Sequence, residues 1–100
     1  MAQRILVVDD DRSIVKVLAS YLEKSGYQAL SAYDGEMALH QLRRERPDLV
    51  ILDLMMPNRD GWEVTKIVRA DHSLAATPII MLTARVEDTD KIVGLELGAD

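Results

Sequence analysis

Residues 49–57 read Leu-Val-Ile-Leu-Asp-Leu-Met-Met-Pro, and the fold can be worked out from this stretch. Residues 49–52 are apolar without interruption, and Asp53 follows them directly. A strand with one solvent-exposed face would alternate apolar and polar residues, so the unbroken run predicts a strand covered on both faces, as in a parallel sheet. Asp53 is therefore expected at the carboxyl end of a buried strand.

Three more segments resemble strands. Residues 5–8 and 79–82 are apolar throughout, whereas residues 28–32 form a weaker segment that suits a sheet edge. The residues that follow the strong segments carry polar side chains. Asp9 and Asp10 come after the first, and Thr83 comes after the last.

The segments between the strands have a helical period. The first predicted helix has an N-cap at Asp11 and a stop at Gly26, and we expect it to bury one face made of Ile14, Val17, Leu18, Tyr21 and Leu22. A second helix should open at Asp34-Gly35 and end at Pro47, with Ala38, Leu39 and Leu42 inward. A third is expected over about 61–70, and a fourth over about 87–97.

Strand and helix thus alternate four times within 100 residues, which is the size of one domain, 1–100. Right-handed crossovers with helices on both faces give an α/β, doubly wound parallel sheet. The expected strand order is the flavodoxin-like 2-1-3-4-5, in which functional sites lie at the carboxyl ends of the strands where the order reverses.

Composition excludes several kinds of function. The net charge of −5 argues against direct nucleic-acid binding, because the phosphate backbone attracts clustered basic residues. The cluster Arg43, Arg44 and Arg46 has no aromatic neighbour for base stacking and is interpreted as a solvated helix end. Cysteine is absent, which excludes disulfides and thiolate metal sites. No apolar run is long enough to span a membrane, and no export signal is present, so we expect a cytoplasmic protein.

Three aspartates should meet at the carboxyl edge of the sheet. Taken singly, an aspartate after a strand is usually a turn or cap residue. In the predicted strand order, however, Asp9, Asp10 and Asp53 converge on one shallow cleft, where like charges repel unless a cation lies between them. A hard divalent ion with oxygen ligands, Mg²⁺, fits this need.

Such a cleft favours phosphoryl chemistry. Mg²⁺ prefers a few carboxylates together with waters and a phosphate oxygen, and a carboxylate can attack phosphorus to give an aspartyl phosphate. Positioning and charge neutralisation supply most of the catalysis in such reactions. The hydroxyl of Thr83 and the backbone N–H of Ala84 are candidates to bind a phosphoryl oxygen.

The sequence resembles the receiver domains of bacterial response regulators over the whole chain. The motifs that carry the resemblance are residues 7–10, 52–57, 60–61, 82–84 and 94–100. Residues 81–85 and 94–99 look like the subfamily fused to winged-helix DNA-binding domains, which implies a role in transcription regulation.

The resemblance implies specific roles. Asp53 is the phosphorylation site, Asp9 and Asp10 hold Mg²⁺, and Asp10 is the direct ligand. Met55 lends its backbone carbonyl to the metal. Thr83 is the switch hydroxyl, and Met55 and Arg85 tune the lifetime of the phosphoryl group. The implied phosphoryl donor is a phosphohistidine on a sensor histidine kinase, and the protein is a phosphoacceptor that assists its own phosphorylation and dephosphorylation rather than an enzyme.

The family pattern continues beyond the last residue of this chain. A fifth strand, a phosphate-binding lysine and a fifth helix would follow Asp100, and Lys91 is not a substitute because it falls within the fourth predicted helix. We therefore expect residues 79–82 to form an apolar sheet edge and an apolar patch to be exposed beside the first helix. We also expect that the chain alone is not a stable monomer that switches normally, and that a longer chain, a dimer or a partner segment covers the edge.

Two other functions stay open. One is an interaction module that works without phosphorylation, since the lysine is absent from this chain. The other is an aspartate-nucleophile phosphatase of the haloacid dehalogenase type, whose motif residues 9–13 superficially fit. The phosphatase alternative leaves Asp53 without a role, and the expected glycine-bearing flap does not follow residue 13.

Overall fold

One sheet of four parallel strands forms the centre of the described structure. The structure is a computed structural model, and it describes residues 2–56 and 59–82. The strands are β1 (Arg4–Val8), β2 (Gln28–Ala32), β3 (Leu49–Asp53) and β4 (Ile79–Leu82). They lie in the order β2-β1-β3-β4, and all neighbouring strands are parallel. The predicted doubly wound α/β sheet is confirmed, with the first four strands of the flavodoxin-like order.

Helices cover both faces of this sheet. They are α1 (Arg12–Lys24), α2 (Gly35–Glu45) and α3 (Gly61–Ala70). Buried side chains of α2 and α3 form one apolar cluster with Leu6 and Val8 of β1. Side chains alternate along a strand, so the equally buried Ile5 and Val7 point to the opposite face, where α1 contacts β1 and β2. Within the described ranges, no helix is long and apolar enough to cross a membrane.

An aspartate caps the amino end of each of the three described helices. The Asp11 carboxylate accepts a hydrogen bond from the Ser13 amide at 2.9 Å, as predicted for the start of α1. Asp34 and Asp60 cap α2 and α3 in the same way. These carboxylates satisfy amides that have no partner inside the helix, so their role in the fold is local and structural.

The prediction of which α1 side chains are buried is wrong in part. Val15 is the buried residue of this helix, whereas Ile14, Val17 and Tyr21 are 39%, 67% and 70% exposed. Helical spacing identifies an apolar stripe, but it does not say whether another element covers that stripe. Among the described residues none does, which agrees with the apolar patch expected beside the first helix.

The carboxyl end of α2 differs slightly from the prediction. The helix stops at Glu45 rather than running to Pro47, because Arg46 adopts the left-handed conformation with φ 48°. Its amide still donates to the Leu42 carbonyl at 3.0 Å. Arg43, Arg44 and Arg46 are all exposed, as expected for a solvated helix end.

β4 lies at the edge of the described sheet, where it pairs with β3 alone. Ile79 and Met81 are buried, but Leu82 is 43% exposed. The expected apolar edge is therefore present among the described strands. The predicted fourth helix, residues 87–97, lies outside the residues that the structure describes.

Candidate functional site

The register of the sheet brings three carboxylates together. Val8 of β1 pairs with Leu52 of β3, so Asp9 and Asp53, the next residues, end adjacent strands at the same edge. Asp9, Asp10 and Asp53 each offer a carboxylate oxygen, and these oxygens lie within 4.8 Å of one another. The convergence expected from the strand order is thus present in the structure.

The three carboxylates differ in their access to water. Asp53 is only 6% exposed and forms the floor of the cleft, Asp9 is half-buried, and Asp10 is exposed. A graded arrangement of this kind offers an inner oxygen to a reacting group and outer oxygens to a hydrated ion. The pKa of the inner carboxylate, Asp53, should therefore be the one that burial changes most.

Burial is the main cause of a raised pKa at Asp53. Together with the neighbouring charge of Asp9, it raises the pKa of Asp53 from 3.8 to about 6, although the hydrogen bond from the Met55 amide acts in the opposite direction. Burial also raises the pKa of Asp9. None of the ion pairs between described residues includes these carboxylates. The site therefore carries negative charge that no described cation neutralises.

Backbone contacts fix the two inner aspartates. The Asp9 amide donates to the Ala32 carbonyl at 3.2 Å, which extends the pairing of β1 with β2 by one residue. The Asp9 carboxylate in turn accepts from the Asp11 amide at 2.9 Å. On β3, the Met55 amide donates to the Asp53 carboxylate at 3.3 Å. Each carboxylate thus keeps at least one oxygen for another partner.

The β4 side of the site is only partly described. Asp53 pairs with Leu82, and the Leu54 amide donates to the Leu82 carbonyl at 2.8 Å. The predicted phosphoryl-binding and tuning residues Thr83, Ala84 and Arg85 lie outside the described residues. Met55, the other predicted tuning residue, is 50% exposed at the rim of the cleft.

The start of α3 packs directly on the backbone of Asp53. A Cβ atom added to Gly61 would lie 2.7 Å from the Asp53 carbonyl oxygen and 2.9 Å from the Leu54 Cα. The Gly61 amide donates to the Leu54 carbonyl at 2.9 Å. In the sequence, Gly61 stands at the start of the third predicted helix and within a family motif. The physical signal behind it is a glycine directly after a capping aspartate, where two backbones approach closely.

The donor set fits a hard divalent cation. Three carboxylates with no described cationic partner, one buried and one open to water, match the oxygen ligands and retained waters that Mg²⁺ prefers. Side chains of histidine or cysteine, which would favour a softer metal, do not take part in this cluster.

Comparison with known proteins identifies the family of this chain. Residues 5–100 match the family described as "Response regulator receiver domain". The chain is 52% identical over 100 residues to the alkaline phosphatase synthesis transcriptional regulatory protein PhoP of Bacillus subtilis (strain 168), covering all of this chain and 41% of that protein. The chain therefore spans less than half the length of this curated relative.

Solved structures of response regulators have the same fold as this chain. The N-terminal domain of a response regulator receiver protein from Methanoculleus marisnigri JR1 superposes with a TM-score of 0.87 at 37% identity, over 97% of this chain and 79% of that one. The chemotaxis response regulator CheY4 of Vibrio cholerae gives a TM-score of 0.87 at 35% identity, over 99% and 82%. The family match runs over residues 5–100, the range in which Asp9, Asp10 and Asp53 lie, and this chain belongs to the response regulator receiver domain family.

Proposed function

We propose that this receiver domain is a Mg²⁺-dependent switch that accepts a phosphoryl group on Asp53 from a sensor histidine kinase. The observation that carries the proposal is the position of the Asp53 carboxylate. It lies at the buried floor of the cleft, within 4.8 Å of the Asp9 and Asp10 oxygens. No other described group of acidic residues has this arrangement.

Asp53 is the proposed nucleophile. One carboxylate oxygen attacks phosphorus, and the bond from phosphorus to the nitrogen of the donor histidine breaks with its electron pair left on the imidazole. The attack requires ionised Asp53, and a pKa of about 6 leaves most of the carboxylate ionised at neutral pH. A nearby cation would lower that pKa and increase the ionised fraction further.

Asp9, Asp10 and Asp53 are the proposed metal-holding residues, with Asp10 as the direct ligand and the Met55 carbonyl as an additional one. When bound, Mg²⁺ would neutralise the charge that develops on the transferring phosphoryl group. Asp9 is held in place by its hydrogen bond from the Asp11 amide, so its charge stays directed at the cleft. The exposure of Asp10 lets the site keep water ligands.

Thr83 and Ala84 are proposed to bind the phosphoryl oxygens and to transmit the switch, and Met55 and Arg85 to set its lifetime. The support is the pairing of Asp53 with Leu82, because Thr83 is the next residue in the chain. Phosphorylation would favour one of two conformations through contacts that only the phosphoryl group can make.

The proposed output is control of transcription in the cytoplasm. The support is the likeness to a protein named as a transcriptional regulator. We expect phosphorylation to change the affinity of the full-length gene product for promoter DNA, as measured by gel shift.

The test of the phosphoacceptor role uses acetyl phosphate. The full-length gene product should gain one phosphoryl group in the presence of Mg²⁺, as read by intact mass, and EDTA should abolish the gain. Asp53→Asn should gain none. Asp60→Asn is the matched control, because asparagine still caps α3 while the same charge is removed. Equal labelling of Asp53→Asn and wild type would refute the assignment.

The same experiment separates the alternatives. An interaction module that works without phosphorylation would leave the wild-type protein unlabelled. A phosphatase would release product from a chromogenic phosphate ester over many turnovers, and it would depend on Asp9 rather than on Asp53.

A further inference from the structure

Arg59 joins two helices across the segment that follows the phosphoacceptor strand. Its guanidinium Nε donates to the Glu36 carboxylate in the first turn of α2, and its Nη1 donates to Glu63 Oε2 of α3 at 2.7 Å. The hydrogen bond and the charge of Glu36 raise the pKa of Arg59. We call Arg59, Glu36 and Glu63 the arginine clasp.

Gly35 allows the backbone at Arg59 to approach α2 very closely. A Cβ atom added to Gly35 would lie 2.5 Å from the Arg59 Cβ and 2.8 Å from the Arg59 carbonyl oxygen. Real Cβ atoms do not approach other atoms this closely, so a glycine is required here as long as Arg59 stays where it is. The arginine clasp therefore combines two ion pairs with a close contact between Gly35 and the backbone of Arg59.

The other end of the same segment rests on the phosphoacceptor. Two residues after Arg59, Gly61 approaches the Asp53 carbonyl, and its amide donates to the Leu54 carbonyl. The segment 59–61 is thus fixed to α2 on one side and to the backbone of residues 53–54 on the other. A displacement of Arg59 would be passed through two peptide units to the strand end that carries Asp53.

We infer that Arg59 is a positioning residue for the phosphoacceptor site, which it acts on through Gly61 and the backbone of residues 53–55. The inference rests on the proposed function. Exposed ion pairs contribute little to global stability, so a clasp of this kind has its main effect on local geometry. A metal site loses affinity for its ion when the residues that orient the metal-binding side chains are removed, even though those side chains themselves remain.

The direction in which Arg59→Met changes the dissociation constant for Mg²⁺ separates a positioning role from a purely electrostatic one. Arg59→Met removes a positive charge near an acidic site, and electrostatics alone would strengthen Mg²⁺ binding. A positioning role predicts the opposite, a dissociation constant for Mg²⁺ raised about tenfold. Arg59→Lys keeps the charge, but an ammonium group cannot reproduce the planar, two-sided hydrogen bonding of the guanidinium to both carboxylates. Its dissociation constant for Mg²⁺ should therefore fall between those of wild type and Arg59→Met.

The experiment is a Mg²⁺ titration of the full-length gene product by calorimetry, with the rate of labelling by acetyl phosphate as a second readout. Arg44→Met is the matched control, since Arg44 is an exposed helical arginine whose one ion pair among the described residues is with Glu45 at 3.3 Å. Glu36→Gln and Glu63→Gln should each weaken Mg²⁺ binding in the wild-type background and have less effect in the Arg59→Met background.

Amide hydrogen exchange tests the same inference without metal or phosphoryl donor. In EDTA, Arg59→Met should speed exchange at the Gly61 amide severalfold, while amides in β1 keep their wild-type rates. Unchanged exchange at Gly61, or Mg²⁺ binding as tight as in wild type, would overturn the inference. Failure of the proposed function would appear separately, as labelling of Asp53→Asn.

Discussion

Asp9 and Asp53 end adjacent strands and place carboxylate oxygens within 4.8 Å of each other, with the charge of Asp9 contributing to the raised pKa of Asp53. Neither carboxylate has an ion-pair partner among the described residues. The protein thus keeps a locally unfavourable charge arrangement at the carboxyl edge of its sheet, as sites that bind cations commonly do.

The raised pKa of Asp53 should make stability depend on pH. Between about 4 and 6 the folded protein holds a proton that the unfolded chain releases, so the free energy of unfolding falls as pH rises through this window. In EDTA, we expect Asp53→Asn to be more stable than wild type by about 1–2 kcal/mol near neutral pH, because solvent screening at an open cleft reduces the effect below that of the full pKa shift.

The measurement is urea unfolding of both proteins at a series of pH values. The difference between them should shrink as the pH falls below about 6 and vanish near about pH 3, where wild-type Asp53 is protonated in both the folded and the unfolded state. A constant difference across the whole range would mean that the substitution acts through something other than this titration.

Asp10 and Asp11 are neighbours in sequence but should differ in Mg²⁺ binding. Asp10 belongs to the carboxylate cluster, whereas Asp11 caps α1 through its bonds to the Ser13 and Ile14 amides. We expect Asp10→Asn to weaken Mg²⁺ binding by at least about tenfold. Asp11→Asn removes the same charge and keeps the cap, so its dissociation constant should change about twofold at most. Calorimetric titration of both variants checks this, and equal losses would indicate a general charge effect.

Gly61→Ala should disturb the site as well as the fold. The added methyl group would meet the Asp53 carbonyl oxygen at 2.7 Å, and backbone atoms cannot move aside easily. We expect a loss of about 1–3 kcal/mol in the free energy of unfolding, as for overpacking elsewhere, together with weaker Mg²⁺ binding.

Gly26→Ala is a useful comparison for that variant. Gly26 has φ 95° but open space around it, so alanine there should cost about 1 kcal/mol through backbone strain alone. Mg²⁺ binding by this variant should stay at the wild-type level. If both glycine variants bound Mg²⁺ as wild type does, the contact between α3 and Asp53 would have no part in the site.

Arg46→Gly should stabilise the protein. Arg46 is the C-cap of α2 in the left-handed conformation, where a side chain is unfavourable and glycine is preferred. We expect a gain of about 0.5–1 kcal/mol in the free energy of unfolding by urea titration. Arg44→Gly, two residues earlier inside the helix, should instead lose about 1 kcal/mol, and the opposite order would contradict the capping argument.

The sequence was enough to predict the strands and the meeting of the three aspartates, because buried parallel strands are uninterrupted apolar runs and their order fixes which ends are adjacent. The burial of α1 was predicted less well. Val15 is buried while Ile14 and Val17 are exposed, since periodicity defines a stripe without naming what covers it.

The arginine clasp could not have been predicted at all. Arg59 and Glu36 are 23 residues apart, and the chain contains many other possible pairs of opposite charge. Their contact depends on the close approach of Gly35 to Arg59, which is a consequence of how α2 and the segment after β3 pack. Nothing in local composition signals such an approach.

The parallel pairing of β3 with β1 has a consequence for how this protein can change over evolution. Because side chains alternate across a strand, sliding β3 by a single position would put an aliphatic residue at the cleft and turn the aspartate toward a helix. An insertion or deletion inside this strand should thus break up the carboxylate cluster and also bury an unpaired charge against an apolar layer. Length changes in the loops at the opposite edge should be tolerated.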